Sequence, residues 1–296
     1  MHRHPLQLVS EQAIDVATMK IGMNYRNWGP YATRENLLAC ARIADQSSLD
    51  SIWVNDHIGL PTAGWDNPFG IPQEMGNIVD PFAVMAFLGA VTSRIEFGSG
   101  VIVAPYRPPL PTAKLLQSIQ VLSNNRMLFG LGAGYLSEEF KALGVDKRRR
   151  GVLTDAMLDL LHKAFTEEEV QCHGQALALK PQPKRPPFYI GGTPQVAMAR
   201  AIARGDGWMP VGTLPAELKP LVKDFQQGAA DAGRAPLQVV AMKTLSLANL
   251  QEAVEMAQAY RDAGVTHLVH TQAYDTPAQY QEIVDIVCAE IRSAVQ

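Results

Sequence analysis

The chain has 296 residues, 47% hydrophobic and 19% charged, a composition that supports a large folded core and excludes a disordered or fibrous protein. The formal net charge of -3 gives no electrostatic basis for binding nucleic acid or an anionic membrane. Three widely separated cysteines form neither a disulfide framework nor a metal knuckle, so we expect a reducing, cytoplasmic environment. No apolar run is long enough to span a bilayer.

From Lys20 onward, short runs of Val, Ile, Leu, Phe and Trp alternate with segments of helical periodicity, which predicts repeated βα units and a parallel sheet. The predicted strands are 20–25, 51–56, 95–103, 127–132, 187–191, 207–211, 237–242 and 266–270. Eight repeats favour an α/β fold closed into a (β/α)8 TIM barrel. The alternative, an open doubly wound sheet, would carry a glycine-rich phosphate turn after strand 1, and residues 26–30 (RNWGP) are not one.

Residues 19–296 are predicted to form a single domain, because no Gly/Ser tract or charge block divides them. Residues 1–18 are expected to be a flexible or oligomer-docking N-terminal extension. Insertions follow strand 2 (57–79) and strand 4 (133–149), on the face where TIM barrels carry their catalytic loops. A small hairpin is predicted before strand 5, within 170–179.

The second predicted strand ends in an acid and an imidazole, Asp56 and His57. Burial of two titratable groups requires a partner or a ligand for each. At the end of a barrel strand His57 can exchange protons near neutral pH, and Asp56 can orient it or a ligand. The structural alternative is that His57 only hydrogen-bonds the loop that follows.

Glycines at strand ends are the next candidate features. Within the third strand, the segment 97–103 (FGSGVIV) contains two glycines, which indicate either a flat ligand close to the backbone or a bulge that closes the barrel. Strand 4 runs into Gly132-Ala133-Gly134-Tyr135, which lacks the full dinucleotide fingerprint. Glu138 and Glu139 follow within one helical turn, where they either interact with the helix N-terminus or face a pocket beside Tyr135.

The fifth strand ends in Gly191-Gly192-Thr193-Pro194, with Thr193 as N-cap candidate and proline at the first helical position. This arrangement favours a phosphate site at the helix N-terminus over a simple turn. A catalytic metal is not expected, because strand 1 has no histidine and His267 and His270 alternate across strand 8.

In their order and spacing these segments resemble the luciferase-like monooxygenase superfamily, which includes bacterial luciferase, alkane sulfonate monooxygenase and deazaflavin-dependent dehydrogenases and reductases. The similarity extends from about Met19 to the C-terminus. It depends on WVNDH (53–57), RIEFGSGV (94–101), NR before GLGAGYLSEEF (125–140), FYIGG (188–192) and GDGW (205–208).

The resemblance implies an isoalloxazine-like ring lying against strand 3, where the family often has a non-prolyl cis peptide that maps onto Gly100-Val101. It further implies a pocket beside Tyr135 and a cofactor tail near Gly191. The implied catalytic residues are His57, Asp56 and Glu139. The implied cofactor-binding residues are Asp56, His57, Gly100, Val101, Val103, Gly134, Tyr135, Glu138, Gly191, Gly192 and Thr193.

The Asp-His pair and the GYLSEEF turn look more like the deazaflavin-using branch than like luciferase itself. The resemblance therefore implies an oxidoreductase that transfers hydride between coenzyme F-420 and a small organic substrate, with His57 moving the proton. The alternatives are an FMN-dependent monooxygenase and a cofactor-binding or dimer-partner protein without turnover. A homodimer is implied by family likeness alone.

Two departures limit what the resemblance transfers. In deazaflavin-dependent sugar phosphate dehydrogenases a tryptophan stands at the position of Pro61 and an acid at that of Tyr135. The substrate and the acid-base assignment of those enzymes are therefore not transferred.

Overall fold

A closed barrel of parallel strands forms the centre of the protein in a computed structural model, which describes residues 18–68 and 70–296. The predicted extension, apart from Thr18, lies outside the described residues. The strands of the barrel are β1 Lys20–Asn24, β2 Ser51–Val54, β3 Glu96–Ser99, β4 Ile102–Val103, β5 Met127–Gly132, β8 Phe188–Gly192, β9 Gly207–Pro210, β10 Gln238–Lys243 and β11 His267–His270.

Strand pairing closes this sheet on itself. Its order is β3-β2-β1-β11-β10-β9-β8-β5, and β3 also pairs with β5 through the registers Phe97–Met127 and Gly98–Leu128. Since β3 and β4 are two parts of one barrel position, the barrel has eight positions, and the predicted TIM barrel is confirmed.

Helices follow the strands and cover the outside of the barrel. Several begin with proline after an N-cap residue; in α2 the Asp80 carboxylate also accepts a hydrogen bond from the Phe82 N–H at 2.9 Å. The helices are α1 Arg34–Gln46, α2 Pro81–Val91, α3 Pro109–Leu122, α4 Ser137–Ala142, α5 Arg150–Thr166, α6 Pro194–Arg204, α7 Pro215–Asp231, α8 Leu250–Asp262, α9 Pro277–Ile286 and α10 Ser293–Val295, with 3-10 turns at Gln73–Gly76, Ala104–Tyr106 and Lys147–Arg149 and a π-helical turn at Val287–Arg292.

The hairpin expected before the fifth barrel position is present. Strands β6 (Val170–Cys172) and β7 (Gln175–Leu177) pair antiparallel, and His173 and Gly174 connect them with positive φ angles of 49° and 77°. Two left-handed residues in a two-residue connection match the twist of a hairpin. None of the helices in the described part of the chain has the length and apolarity needed to cross a membrane.

The inside of the barrel is filled by side chains over most of its height. A buried cluster comprises Trp53, Leu128, Tyr189, Met209, Val240 and Val269. Gly98 makes room for the indole, because a Cβ at that position would lie 2.7 Å from the ring of Trp53. Val101 and Met242 pack on this cluster but are only half-buried, so the filled interior ends just below the carboxyl ends of the strands.

Two predicted strands end or break earlier than expected, each for a local reason. Strand β2 stops at Val54 because the backbone N–H and C=O of Asn55 bond to the side chain of Asn27, at 2.9 and 3.0 Å, in place of a neighbouring strand. The third strand is interrupted by a cis Gly100-Val101 peptide, although the Gly100 N–H still donates to the Val54 carbonyl at 2.8 Å.

Candidate active site

Asp56 is held in a fixed position just beyond the end of β2. Its carboxylate forms a two-point ion pair with Arg107, with N–O distances of 2.5 and 2.7 Å, and accepts the Val103 N–H at 2.8 Å. Burial raises the pKa of the Asp56 carboxyl, and the hydrogen bonds and charge of Arg107 oppose that shift. Both oxygens of the Asp56 carboxylate therefore accept hydrogen bonds from the protein itself.

His57 is paired with Glu139. The imidazole Nδ1 lies 3.0 Å from Oε2 of Glu139, and the side chains of the two residues are 9% and 3% exposed. The Glu139 side chain, rather than that of its neighbour Glu138, therefore meets the Asp-His motif. An ionised carboxylate can only accept, so Nδ1 carries the proton and Nε2 is the acceptor in the neutral ring.

The Glu139 carboxylate has further donors on both oxygens. Oε2 accepts the Tyr106 hydroxyl at 2.9 Å, and Oε1 accepts the backbone N–H groups of Ile58 and Gly59 at 2.6 and 3.3 Å. Burial would raise the pKa of Glu139, but the hydrogen bond and charge of His57 and the other donors outweigh burial and lower it. Glu139 therefore stays ionised while it is buried.

Tyrosines complete the surroundings of the imidazole. The Tyr135 ring meets the His57 ring edge-on at 6.2 Å between centroids, and burial, followed by the charge of Glu139, raises the pKa of Tyr135 to about 12. Tyr106 packs edge-on against Phe140 at 5.0 Å. Both phenols therefore stay protonated near neutral pH and act as neutral hydrogen-bonding groups.

The Gly100-Val101 peptide lies beside this group on the barrel rim. Two glycines make room for Val101, since a Cβ on Gly132 or Gly191 would lie 3.0 or 2.9 Å from its methyl groups. Met242 contacts Gly100 from the barrel interior, with its sulfur 2.8 Å from where a Cβ would stand. Half-buried Val101 and Met242 thus form an apolar floor at the carboxyl ends of the strands.

The remaining glycines occupy close backbone approaches. Gly134 has a φ of 74°, and a Cβ there would lie 2.5 Å from Val103, so its α-hydrogen packs on that residue. Gly192, with a φ of 143°, leads into exposed Thr193, the N-cap residue of α6. The Thr193 side chain makes no capping hydrogen bond, which leaves the first-turn N–H groups without that partner.

The predicted site residues thus fall into two groups. His57, Glu139, Asp56, Val103, Gly134 and Tyr135 lie together around the Asp-His motif, and Gly100, Val101 and Gly191 meet at the apolar floor. Gly192 and Thr193 follow Gly191 at the start of α6, and Glu138 is half-buried on α4. Their roles in binding or catalysis stay predictions.

Tyr106 and Arg107 belong to the same network, and their contacts with Glu139 and Asp56 were not predicted from the sequence. Their partners lie 33 and 51 residues away, beyond the range of local periodicity. The only local indication is their place just after the glycine-containing strand, at the catalytic face.

The fold is a parallel TIM barrel, and its rim carries an imidazole that is oriented by a carboxylate, as in enzymes of this barrel class. Residues 17–285 match the family model for luciferase-like monooxygenase, and the chain belongs to this family of oxidoreductases. Among curated proteins it is 30% identical over 213 residues to the F420-dependent hydroxymycolic acid dehydrogenase of Mycobacterium tuberculosis, covering 68% of this chain and 56% of that protein.

Solved structures share the fold at lower sequence identity. One is an F420-dependent secondary alcohol dehydrogenase, solved with an F420-acetone adduct, which matches with a TM-score of 0.73 at 16% identity. The match covers 94% of this chain and 99% of the dehydrogenase chain. The oxygenating component of 3,6-diketocamphane monooxygenase from Pseudomonas putida, solved with FMN, has a TM-score of 0.74 at 13% identity with the same coverages. Relatives of this fold therefore include both F420-dependent and FMN-binding enzymes.

Replacement of Glu139 by glutamine tests how much the buried negative charge of Glu139 stabilises the fold. Because the folded-state pKa of Glu139 is lowered, its charge stabilises the fold above the ordinary glutamate pKa near 4.3 and loses that effect as pH falls further. We expect Glu139→Gln to lower the free energy of unfolding at pH 7 by roughly 1.5–3 kcal/mol, measured by urea denaturation. Below pH 4 the difference in the free energy of unfolding between Glu139→Gln and the unsubstituted protein should become smaller.

Glu138→Gln is the matched control, because Glu138 makes no hydrogen bond or ion pair with residues 18–68 and 70–296. Its effect should stay within about 0.5 kcal/mol at either pH. Equal effects of the two substitutions would contradict the assignment of a buried charge to Glu139.

Proposed function

We propose that the protein is a deazaflavin-dependent oxidoreductase that transfers hydride between coenzyme F-420 and a small organic substrate, with His57 as the proton-transfer group. The observation that carries this proposal is the 3.0 Å contact between His57 Nδ1 and the Glu139 carboxylate. When the imidazole is neutral, this contact makes Nε2 its acceptor nitrogen. Such a group can take the proton of a substrate hydroxyl or return it to a carbonyl oxygen.

The residues of the rim fit a flat conjugated ring with an anionic tail. Half-buried Val101 and Met242 offer an apolar surface against which a ring can lie. Gly192 and the uncapped first turn of α6 offer backbone N–H groups to a phosphate. When bound, the deazaflavin supplies a carbon that accepts or donates hydride.

Each residue of the Asp-His network has a separate task in this proposal. His57 holds or moves the proton, and Glu139 fixes the tautomer and orientation of its ring. Asp56 has no free oxygen for proton transfer, because Arg107 and Val103 occupy its carboxylate. We therefore assign Asp56 the role of positioning the peptide that carries His57.

An FMN-dependent monooxygenase is the second candidate. It is supported by the FMN-bound structural neighbour, and the apolar floor would accept either ring. The F420-dependent dehydrogenase has the higher sequence identity to this chain, and a carboxylate-oriented imidazole suits alcohol–carbonyl interconversion, so we rank coenzyme F-420 first. The family assignment and the His57–Glu139 pair both argue against a protein without turnover.

Cofactor titration separates the two candidates. We expect purified protein to bind coenzyme F-420 at least about 10-fold more tightly than FMN, a difference of ~1.4 kcal/mol, measured by fluorescence. A clear preference for FMN would reverse the order, and binding of neither would reject both.

Substitution of His57 tests its role in proton transfer. With coenzyme F-420 and a panel of primary and secondary alcohols, His57→Asn should lower turnover ~10²–10⁴-fold while cofactor binding stays detectable. His162→Asn is the control, because His162 lies on α5 with Nε2 at 2.8 Å from the Arg204 carbonyl, outside this site. If turnover by His57→Asn matches that of the unsubstituted protein, His57 has no part in the reaction.

A homodimer is the second part of our proposal, and one surface of the barrel suits it. Helix α2 has the sequence PFAVMAFLGAV, without a charged or hydrogen-bonding side chain, yet Ala83 and Ala90 on it are exposed. Neighbouring α3 exposes Leu115 and Leu122 and contributes a single charge, Lys114. Since a helix that is apolar all round is normally covered, and this face carries little charge, we propose that it pairs with the same face of a second copy.

Size-exclusion chromatography with light scattering tests this interface. The unsubstituted chain should elute with twice the mass of one chain, and Leu115→Glu should shift it toward monomer by placing charges in the contact. Leu250→Glu, an equally exposed position at the start of α8, should leave the mass unchanged. A monomeric unsubstituted protein would reject the dimer.

A further inference from the structure

Asn24 is a buried amide without a protein partner at the mouth of the barrel. It ends β1, is 5% exposed, and its side chain makes no hydrogen bond with any residue in 18–68 or 70–296. Two residues earlier, Gly22 faces the interior, where a Cβ would lie 2.6 Å from Ser51 Oγ and 2.9 Å from Trp53 Nε1. Because alternate residues of a strand share one face, Asn24 also points into the barrel.

The neighbouring Asn27 shows what a structural asparagine in this fold looks like. Its amide donates to the carbonyls of Asn55 and Val79 at 3.0 and 2.8 Å, and its oxygen accepts the Asn55 N–H at 2.9 Å. Asn24 therefore has donor and acceptor groups available that the protein does not use for its own fold.

The position of Asn24 places those groups beside the apolar floor. In the β1–β2 register Asn24 is level with Trp53, and Asn55 follows Trp53 on the same face by alternation. The Asn55 amide lies 3.5 Å from the Gly100 carbonyl. One side of the barrel mouth is thus lined by neutral amides, and the adjoining side by the Gly100-Val101 peptide and Met242.

We propose that Asn24 is a ligand-binding residue that recognises a neutral ring edge on which a carbonyl and an N–H stand side by side. A carboxamide offers one acceptor and one donor at matching spacing, the pairing by which Asn also reads an adenine edge. The imide edge of flavin and deazaflavin rings has this chemistry. The assignment to such a ring depends on the proposed function, whereas the unused amide does not.

Stability without ligand tests the first half of the inference. Asn24→Leu removes an amide that makes no bonds, so the melting temperature of the cofactor-free protein should rise or fall by no more than about 2 °C. Asn27→Leu removes three hydrogen bonds and should lower the melting temperature by roughly 5 °C or more. Equal losses in the two variants would show that Asn24 is structural and overturn the inference. Asn24→Ala provides the same comparison without added bulk.

Binding tests the second half. Asn24→Leu should weaken binding of coenzyme F-420 and of FMN by about 10-fold or more. FMN methylated at its imide nitrogen keeps its carbonyls but cannot donate to the Asn24 amide oxygen, so Asn24→Leu should weaken binding of this analogue less than it weakens binding of FMN. Unchanged binding of unmodified FMN and coenzyme F-420 by Asn24→Leu would overturn the ring-edge assignment while leaving the proposed function intact. Preference for FMN, with the loss in Asn24→Leu retained, would reject the proposed cofactor alone.

Discussion

The buried carboxylate of Glu139 is the constraint on which the organisation of the rim depends. A carboxylate that is 3% exposed is tolerated only if its lone pairs are satisfied, and here four donors satisfy them. Three of the donors belong to the peptide segment that begins at His57, and one is the Tyr106 hydroxyl. The need to satisfy one charge therefore fixes the start of the 57–79 loop, the tautomer of the imidazole and the docking of α4 together.

The segment Val103–Arg107 extends the same constraint to the other half of the Asp-His pair. Val103 and Arg107 hold the Asp56 carboxylate, while Tyr106 holds the carboxylate that orients His57. This segment follows directly after the Gly100-Val101 peptide. The apolar floor and the imidazole are thus connected by a few covalently linked residues, so their relative positions are set by a short, well-bonded piece of chain, as a preorganised site requires.

Local periodicity was sufficient to predict the barrel, because each strand and helix buries one face or both and that burial is written in residue spacing. It was not sufficient where a single polar contact overrides the pattern, as at Asn55, whose backbone bonds to the side chain of Asn27. Residue spacing alone left open whether Glu138 or Glu139 faces the pocket, and only the family resemblance implied Glu139 as the catalytic one. Adjacent helical residues point about 100° apart, so only the packing of α4 decides which carboxylate meets His57. Arg107 and Asn24 were not predicted for a related reason. Arg107 is recognisable only from its contact with Asp56, 51 residues away, and Asn24 only from the lack of a hydrogen-bond partner among the described residues.

The polar groups at the barrel mouth differ in how many hydrogen bonds they make to the protein. This difference distinguishes groups that stabilise the fold from groups available to a ligand. Several hydrogen bonds to the protein are made by each of Asp56, Glu139 and Asn27, so removal of any of these side chains should lower the free energy of unfolding. Nε2 of His57 and the amide of Asn24 make none to the described residues. Polar groups that contribute no bonds to the fold are expected where function requires them. By this criterion we propose the imidazole and the Asn24 amide as ligand-contacting groups, and Glu139 as the carboxylate that holds the imidazole in place.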